Sequence, residues 1–167
     1  CGVVLSRAES FIAHWSSQGA TILGLSADQQ LLGALALRDT TKPHAAEVVA
    51  QLVHQGKRAY LITGDNQRTA AASAQTVGIP AENVFAEVRP ERKAEIVQQL
   101  QQRGERVAFV GDGINDAPAL AQADLGIAVS RASDVAREAA DIILLRSDIE
   151  AVPEALALAQ ATLRTIK

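Results

Sequence analysis

The stretch AFVGDGINDAPAL, residues 108–120, runs from an apolar, strand-like segment into two aspartates and then into a helix start. Glycines on both sides of Asp112 tolerate a positive φ and let the backbone approach a bulky anion closely. Such a turn is well suited to bind phosphate. A carboxylate repels phosphate unless a cation lies between them, and Mg²⁺ takes one or two carboxylates with waters and phosphate oxygens. We therefore interpret Asp112 as a magnesium ligand; the alternative is an ordinary turn residue.

Asp116 ends the acidic part of this stretch and has two compatible interpretations. Its position before Ala117 and Pro118 is typical of a helix N-cap. Its closeness to Asp112 also suits a second acidic group at the same site. The sequence leaves both roles open.

Apolar runs alternate with helical patterns from residue 43 onward. Strands are predicted at 58–63, 83–86, 106–111, 125–129 and 141–145, and helices at 43–55, 67–77, 90–103, 133–139 and from about 147, with a short helix after Asp116. This alternation is typical of an α/β fold in which helices cover both faces of a parallel sheet. Before it, the sequence predicts a helix at 6–18 and a hairpin built from ATILGL (20–25) and LLGALAL (31–37).

Polar residues follow two of these strands at the edge where ligands of open parallel sheets bind. Thr63, Gly64 and Asp65 come after RAYLI (58–62), and the Asp112 turn comes after RVAFV (106–110). Lys93 lies in the first turn of the helix that begins at Pro90, where the helix macrodipole disfavours a cation. A lysine there could neutralise a bound phosphoryl group; the alternative is an exposed lysine without a role.

Composition excludes several classes of function. Sixteen Lys and Arg against nineteen Asp and Glu give a net charge of −3, without a basic block, which argues against a nucleic-acid partner. One cysteine, Cys1, and three scattered histidines argue against a disulfide scaffold and a structural zinc site. Because no apolar run approaches the roughly 18 residues that a bilayer requires, we expect the chain itself to be soluble.

Three segments together resemble the phosphorylation domain of P-type ATPases, which belong to the haloacid dehalogenase superfamily. They are Thr63-Gly64-Asp65, RPERK (89–93) and GDGINDAPAL (111–120), of which the last is the most specific. GDGINDAPALAQADLGIAV (111–129) and DVAREAADIILL (134–145) are most similar to the heavy-metal subgroup, which transports ions such as copper or zinc. The resemblance covers about residues 32–167.

The resemblance implies a Rossmann-like parallel sheet of the haloacid dehalogenase type and two regions. Residues 1–37 would be the C-terminal part of a nucleotide-binding domain, and residues 38–167 a phosphorylation domain that uses ATP and Mg²⁺. Asp112 would coordinate the Mg²⁺, with Asn115 and Asp116 close to the phosphate and to the metal.

The remaining roles implied by the family concern the other two segments. Thr63 would donate a hydrogen bond to the phosphoryl group and Lys93 would neutralise it, while Gly64 and Asp65 would lie near the nucleotide or the hinge between the domains. Asp39, in RDTTKP (38–43), matches an acidic residue on the hinge side. In the loop VSRASD (129–134), Ser130 and Ala132 stand where the family usually has glycines.

The phosphorylated Asp-Lys-Thr-Gly-Thr segment of the family does not occur in this chain. We therefore expect a piece of a longer membrane protein, on the cytoplasmic face of the membrane and inactive alone. Its partners would be ATP, a heavy-metal cation and the membrane domain that follows the last helix. Because the resemblance places a central strand in the missing segment, we predict that CGVVL (1–5) or the hairpin fills the vacancy, or that the chain self-associates.

Two other functions remain open from the residues. A stand-alone phosphatase of the haloacid dehalogenase type could use Asp39 as its nucleophile, since Asp39 follows an apolar run and precedes Thr63, Lys93 and Asp112 in a suitable order. Thr41, however, occupies the place of that mechanism's general acid. The third possibility is a non-catalytic module that binds a nucleotide or phosphate.

Overall fold

The computed structural model describes residues 8–37, 40–112, 114–129, 133–145 and 148–166. The helices are α1 (Glu9–Ser17), α2 (Ala45–His54), α3 (Gln67–Val77), α4 (Pro90–Gln102), α5 (Ala117–Gln122), α6 (Asp134–Glu138) and α7 (Ala151–Ile166). The strands are β1 (Thr21–Ala27), β2 (Gln30–Leu37), β3 (Leu61–Ile62), β4 (Val84–Phe85), β5 (Ala108–Gly111), β6 (Leu125–Ala128) and β7 (Ile142–Ile143). The predicted order of helices and strands is confirmed throughout these residues.

The region before residue 38 is a helix followed by a hairpin, as predicted. β1 and β2 pair antiparallel, with Thr21 opposite Leu37, and are joined by a two-residue turn. Asp28 and Gln29 both have positive φ, 46° and 64°, as a tight hairpin turn requires. The two strands pair only with each other within the described residues, so the prediction that the hairpin fills a central vacancy is wrong. The other proposed occupant, residues 1–5, lies outside the described residues.

The remaining strands form parallel ladders, which confirms the predicted α/β fold. β3 pairs with β4, and β5, β6 and β7 pair in that order. Over the part of the chain that the structure describes, no ladder joins β3 to β5, so the sheet is in two pieces. The resemblance assigns a central strand to the missing segment, and the two pieces are described here without it.

Several strands are shorter than the sequence predicted, and β3 shows the physical reason. A strand was expected over 58–63, but only Leu61 and Ile62 are paired. The chain before Val84 forms a single 3-10 turn, Ala81–Asn83, and cannot supply ladder bonds to residues 58–60. Residue 59 is held instead by a side chain, because the Asn83 amide donates to the Ala59 carbonyl at 3.0 Å.

Helices cover both faces of the β5–β7 sheet, but not evenly. On one face Phe109 packs with residues of α4, α5 and α6, and on the other Ile127 packs with Leu144 and the start of α7. Val110, which pairs with Ile127 and shares its face, remains 41% exposed. Both faces are covered, as predicted, but the start of α7 packs on β6 and the residues of β7 and leaves Val110 of β5 exposed.

A polar cluster fastens the opposite end of the sheet from the Asp112 turn. Asp124 accepts hydrogen bonds from the Val107 amide, the Gln101 side chain and the Arg106 guanidinium. These bonds, the Val107 amide foremost, lower the pKa of Asp124 to about 2. They tie the end of α4 to the loop between α5 and β6, which fixes how α4 and α5 lie across the sheet.

None of the helices described is long and apolar enough to span a bilayer.

Candidate phosphate and metal site

The turn after β5 buries the carboxylate of Asp116. Asp116 is the buried charged residue of the described core, 8% exposed, and it lies at the junction of a single 3-10 turn with α5. A Cβ on Gly111 would lie 2.8 Å from the Asp116 Cβ and 2.9 Å from its Oδ2. Only glycine at 111 therefore leaves space for Asp116 to fold back over the end of β5.

Lys93 and Asp116 form a nearly buried ion pair. The Lys93 Nζ lies 2.6 Å from the Asp116 Oδ1, and their side chains are 16% and 11% exposed. The exposure assumed in the alternative interpretation of Lys93 is therefore wrong. The N-cap prediction for Asp116 is also wrong in its chemistry: the residue occupies the N-cap position of α5, but its side chain makes no capping bond. The lysine, 23 residues earlier, is its partner instead.

Asp112 lies beside this pair and is exposed to solvent. Its backbone N–H donates to the Asp116 Oδ2 at 3.3 Å, so the two aspartates share one turn, as predicted. Asn115 is exposed in the same turn. The structure does not describe Gly113, nor Ser130 and Ala132 in the loop where family glycines were expected.

The donor set of this turn fits a magnesium ion better than a softer metal. Among the described residues no hydrogen bond to the Asp112 carboxylate is found, whereas the Asp116 oxygens are engaged by the Lys93 ammonium and the Asp112 N–H. The described residues contain no cluster of three or more His, Cys, Asp and Glu side chains that would enclose a metal. An ion held by one or two carboxylates and completed by waters and phosphate oxygens is the usual protein site for Mg²⁺.

The Thr63-Gly64-Asp65 loop follows β3 and is internally hydrogen bonded. The Thr63 hydroxyl donates to the Asp65 Oδ2 at 2.9 Å and accepts from the Asp65 N–H at 3.1 Å. Gly64 and Asp65 are exposed and Thr63 is half-buried. The hydroxyl that the resemblance assigns to a phosphoryl group is thus held by the neighbouring carboxylate in this state.

The loop between β4 and α4 connects the Thr63 loop to Lys93. The Val88 N–H donates to the Thr63 carbonyl at 3.0 Å, and the Glu87 N–H donates to the Asp65 carbonyl at 2.8 Å. α4 begins two residues after Val88, and its first turn carries Lys93. Glu87 adopts a left-handed φ of 54°, a feature that sequence reasoning missed. Asp39, the nucleophile of the phosphatase alternative, lies outside the described residues.

Comparisons with known proteins bear on these features. A family model described as haloacid dehalogenase-like hydrolase matches residues 5–124, and a second model with that description matches residues 93–156. The chain is 46% identical over 166 residues to "Probable copper-transporting ATPase PacS" of Synechococcus elongatus, covering 99% of the chain and 22% of that protein. It is 49% identical over 154 residues to "Copper-exporting P-type ATPase" of Mycobacterium tuberculosis, covering 92% of the chain and 20% of that protein.

A solved structure is similar over almost the whole chain. The crystal structure of a zinc-transporting PIB-type ATPase in the E2.Pi state superimposes with a TM-score of 0.85 and 35% identity, covering 98% of this chain and 26% of that one. The chain spans about a fifth of the length of the curated relatives it matches.

Proposed function

Since the chain belongs to the haloacid dehalogenase-like hydrolase family, we propose that it supplies most of the phosphoryl-transfer site of a P-type ATPase that transports a heavy-metal cation. Relatives named as copper-transporting ATPases and a zinc-transporting structural neighbour support this class. The transported ion is accordingly a soft or borderline cation such as copper or zinc. In this proposal ATP is the substrate, and the phosphorylated aspartate comes from a segment outside these 167 residues.

One observation carries the proposal: the buried Lys93–Asp116 pair lies beside the exposed Asp112 at the end of β5. Lys93, Asp112 and Asp116 together carry one negative charge, which would repel a phosphate. A divalent cation on Asp112 reverses that sign and makes the site attractive to a phosphoryl group. Mg²⁺ bound there would neutralise charge that develops on the transferring phosphoryl oxygens.

The chain's own residues would bind and orient the phosphoryl group. Lys93 would contribute positive charge from a position already fixed by Asp116, so little reorganisation is needed when the phosphoryl group arrives. Thr63 would transfer its hydroxyl hydrogen bond from Asp65 to a phosphoryl oxygen. Asn115, exposed beside Asp112, would donate from its amide to the same group.

We assign the two regions to two domains of the longer protein. Residues 1–37 would be the C-terminal part of the nucleotide-binding domain and residues 38–167 the phosphorylation domain. The ATP-binding side would include Gly64 and Asp65, exposed at the end of β3. The assembly would lie on the cytoplasmic face of the membrane, joined to the membrane domain beyond α7.

The direct test is phosphoenzyme formation in the full-length protein that contains this chain. Asp112→Asn should reduce Mg²⁺-dependent labelling from γ-³²P-ATP by at least about 100-fold, because charge stabilisation by a metal is worth several kcal/mol. Asp28→Asn is the matched control: it makes the same chemical change in the exposed hairpin turn, where asparagine tolerates the positive φ. Unchanged labelling of the Asp112 variant would refute the assignment.

A second assay separates this proposal from a stand-alone phosphatase. The 167-residue chain is incubated with p-nitrophenyl phosphate and Mg²⁺, and we expect no turnover above background because the nucleophile is outside it. Robust turnover that is lost in Asp39→Asn would overturn the proposal in favour of the phosphatase.

A further inference from the structure

A buried contact fastens the helix–hairpin unit, residues 8–37, to helix α3. The Thr69 hydroxyl donates to the Gly19 carbonyl at 3.0 Å across 50 residues of sequence. Gly19 is buried, and a Cβ there would lie 3.3 Å from the Thr69 Cα and 3.7 Å from the Ala72 Cβ. Backbone thus meets backbone directly at this point.

Both partners are held rigidly by their own elements. The Gly19 N–H donates to the Ser16 carbonyl and the Ala20 N–H to the Trp15 carbonyl, which with a φ of +77° forms a Schellman motif at the end of α1. The Thr69 N–H donates to the Asn66 side chain, which caps α3 directly after the Thr63 loop. The contact therefore joins the end of α1 to the helix that follows the phosphate loop.

An open crevice of about 380 Å³ lies beside this contact. Thr21 and Leu37 of the hairpin line one wall, Ser73 and Thr76 of α3 line the other, and Asp65 reaches it from the phosphate loop. Two elements that are separated by a crevice lined with hydroxyls share little apolar surface there. Beside this crevice the Thr69–Gly19 hydrogen bond is a direct polar link between the two elements.

We propose that the Gly19–Thr69 contact is a latch: it keeps the helix–hairpin unit docked on α3, and its release frees that unit to move relative to the phosphate site. The inference rests on the proposed function in one respect, namely that residues 8–37 belong to the nucleotide-binding domain. The superposition on the E2.Pi structure, with a TM-score of 0.85, extends over 98% of the chain and so includes this unit. The latch would thus regulate access of the nucleotide-binding domain to Lys93 and Asp112.

The test measures the distance between the two units by double electron–electron resonance. Spin labels are attached at Gln29→Cys and Gln99→Cys, two exposed positions in the hairpin turn and in α4, in a Cys1→Ser background. Thr69→Val removes the hydroxyl while keeping the shape of the side chain. Loss of one neutral hydrogen bond should raise the undocked fraction about two- to tenfold.

Thr76→Val is the matched control, because Thr76 lines the same crevice on the same helix but donates to the Ala72 carbonyl within α3. It should leave the distance distribution unchanged, and Thr69→Ser should restore the docked population. Gly19→Ala, which would press a methyl group towards Thr69, should release the unit independently.

Identical distributions for the parent chain, Thr69→Val and Gly19→Ala would overturn the latch, as would equal effects of Thr69→Val and Thr76→Val. Circular dichroism of each variant identifies loss of fold. If Thr69→Val is unfolded, Thr69→Ser tests the latch, since a folded serine variant that undocks contradicts the proposal. The readout contains neither nucleotide nor metal. If the latch variants behave as expected but the Asp112 variant still forms full phosphoenzyme, the proposed function is refuted and the latch is not.

Discussion

Replacing Lys93 by methionine should destabilise the chain far more than replacing a lysine or arginine of an ordinary surface ion pair. The Lys93 and Asp116 side chains are 16% and 11% exposed and 2.6 Å apart. Removing one partner of a buried pair leaves an uncompensated charge and typically costs about 3–5 kcal/mol. The Asp112 N–H still donates to Asp116, so we expect about 2–4 kcal/mol for Lys93→Met.

The assay is urea unfolding of the single variants and of Lys93→Met/Asp116→Asn, in which asparagine keeps an acceptor for the Asp112 N–H. The double variant should be more stable than the sum of the single changes predicts, by at least about 1 kcal/mol. By heat, a loss of about 3 kcal/mol should lower the midpoint by about 6–12 °C in a chain of this size.

Arg106→Met provides the comparison at nearly equal distance. Arg106 lies 2.7 Å from Asp124, but its side chain is 90% exposed, and surface pairs contribute only about 0–1 kcal/mol. The reasoning fails if Lys93→Met costs no more than Arg106→Met. It also fails if the two changes at the buried pair are additive within about 0.5 kcal/mol.

Three further predictions concern single positions. Gly111→Ala should lower the free energy of unfolding in urea by about 1–3 kcal/mol, because the added Cβ would overlap Asp116. Gly33→Ala is the control and should change stability little, since its Cβ would meet nothing within 4 Å. Equal effects of the two changes would contradict the close approach at Gly111. The pKa of Asp124 is lowered to about 2, so its carboxylate stabilises the fold fully above the ordinary aspartate pKa and loses that effect as the pH falls through about 2. Asp124→Asn should therefore flatten the pH dependence of the free energy of unfolding in that acid range. An unchanged pH dependence would contradict this role of Asp124. Glu87→Gly should be neutral or stabilise the fold by about 1 kcal/mol, since glycine relieves the strain of the left-handed φ. A clear fall in the thermal midpoint would show that contacts of the glutamate side chain stabilise the fold by more than the strain costs.

Local patterns were enough to predict the order of elements but not how the strands pair. Apolar runs of four to six residues between helical patterns located β3 to β7 because each strand must bury its side chains. Strand length depends on the neighbour: β3 is two residues long because a 3-10 turn precedes its partner β4. The break between β3 and β5 likewise concerns long-range pairing. The family resemblance implied a missing central strand, but neither it nor periodicity predicted which strands would be left unpaired.

The candidate site was predicted from strand ends, and the described hydrogen bonds link Asp112 to Asp116 and Asp116 to Lys93. Thr63 and Asp112 come directly after apolar strands, and the rule for parallel sheets places such residues at one edge. The pairing of Lys93 with Asp116 was not visible, because it depends on how α4 packs against the start of α5. Nor was the true partner of the Thr63 hydroxyl, which is Asp65 in the same loop.

The Lys93–Asp116 pair explains two departures from local helix rules at once. A lysine in the first turn of α4 opposes the macrodipole by about 0.3–1 kcal/mol, and Asp116 forgoes a side-chain capping bond worth about 1 kcal/mol. Each helix start is therefore weaker than it could be. Breaking the buried pair would cost more than either local loss, so the requirement of the site outweighs the preferences of both helices. The two residues are therefore explained by their contact with each other and not by the helices that they begin.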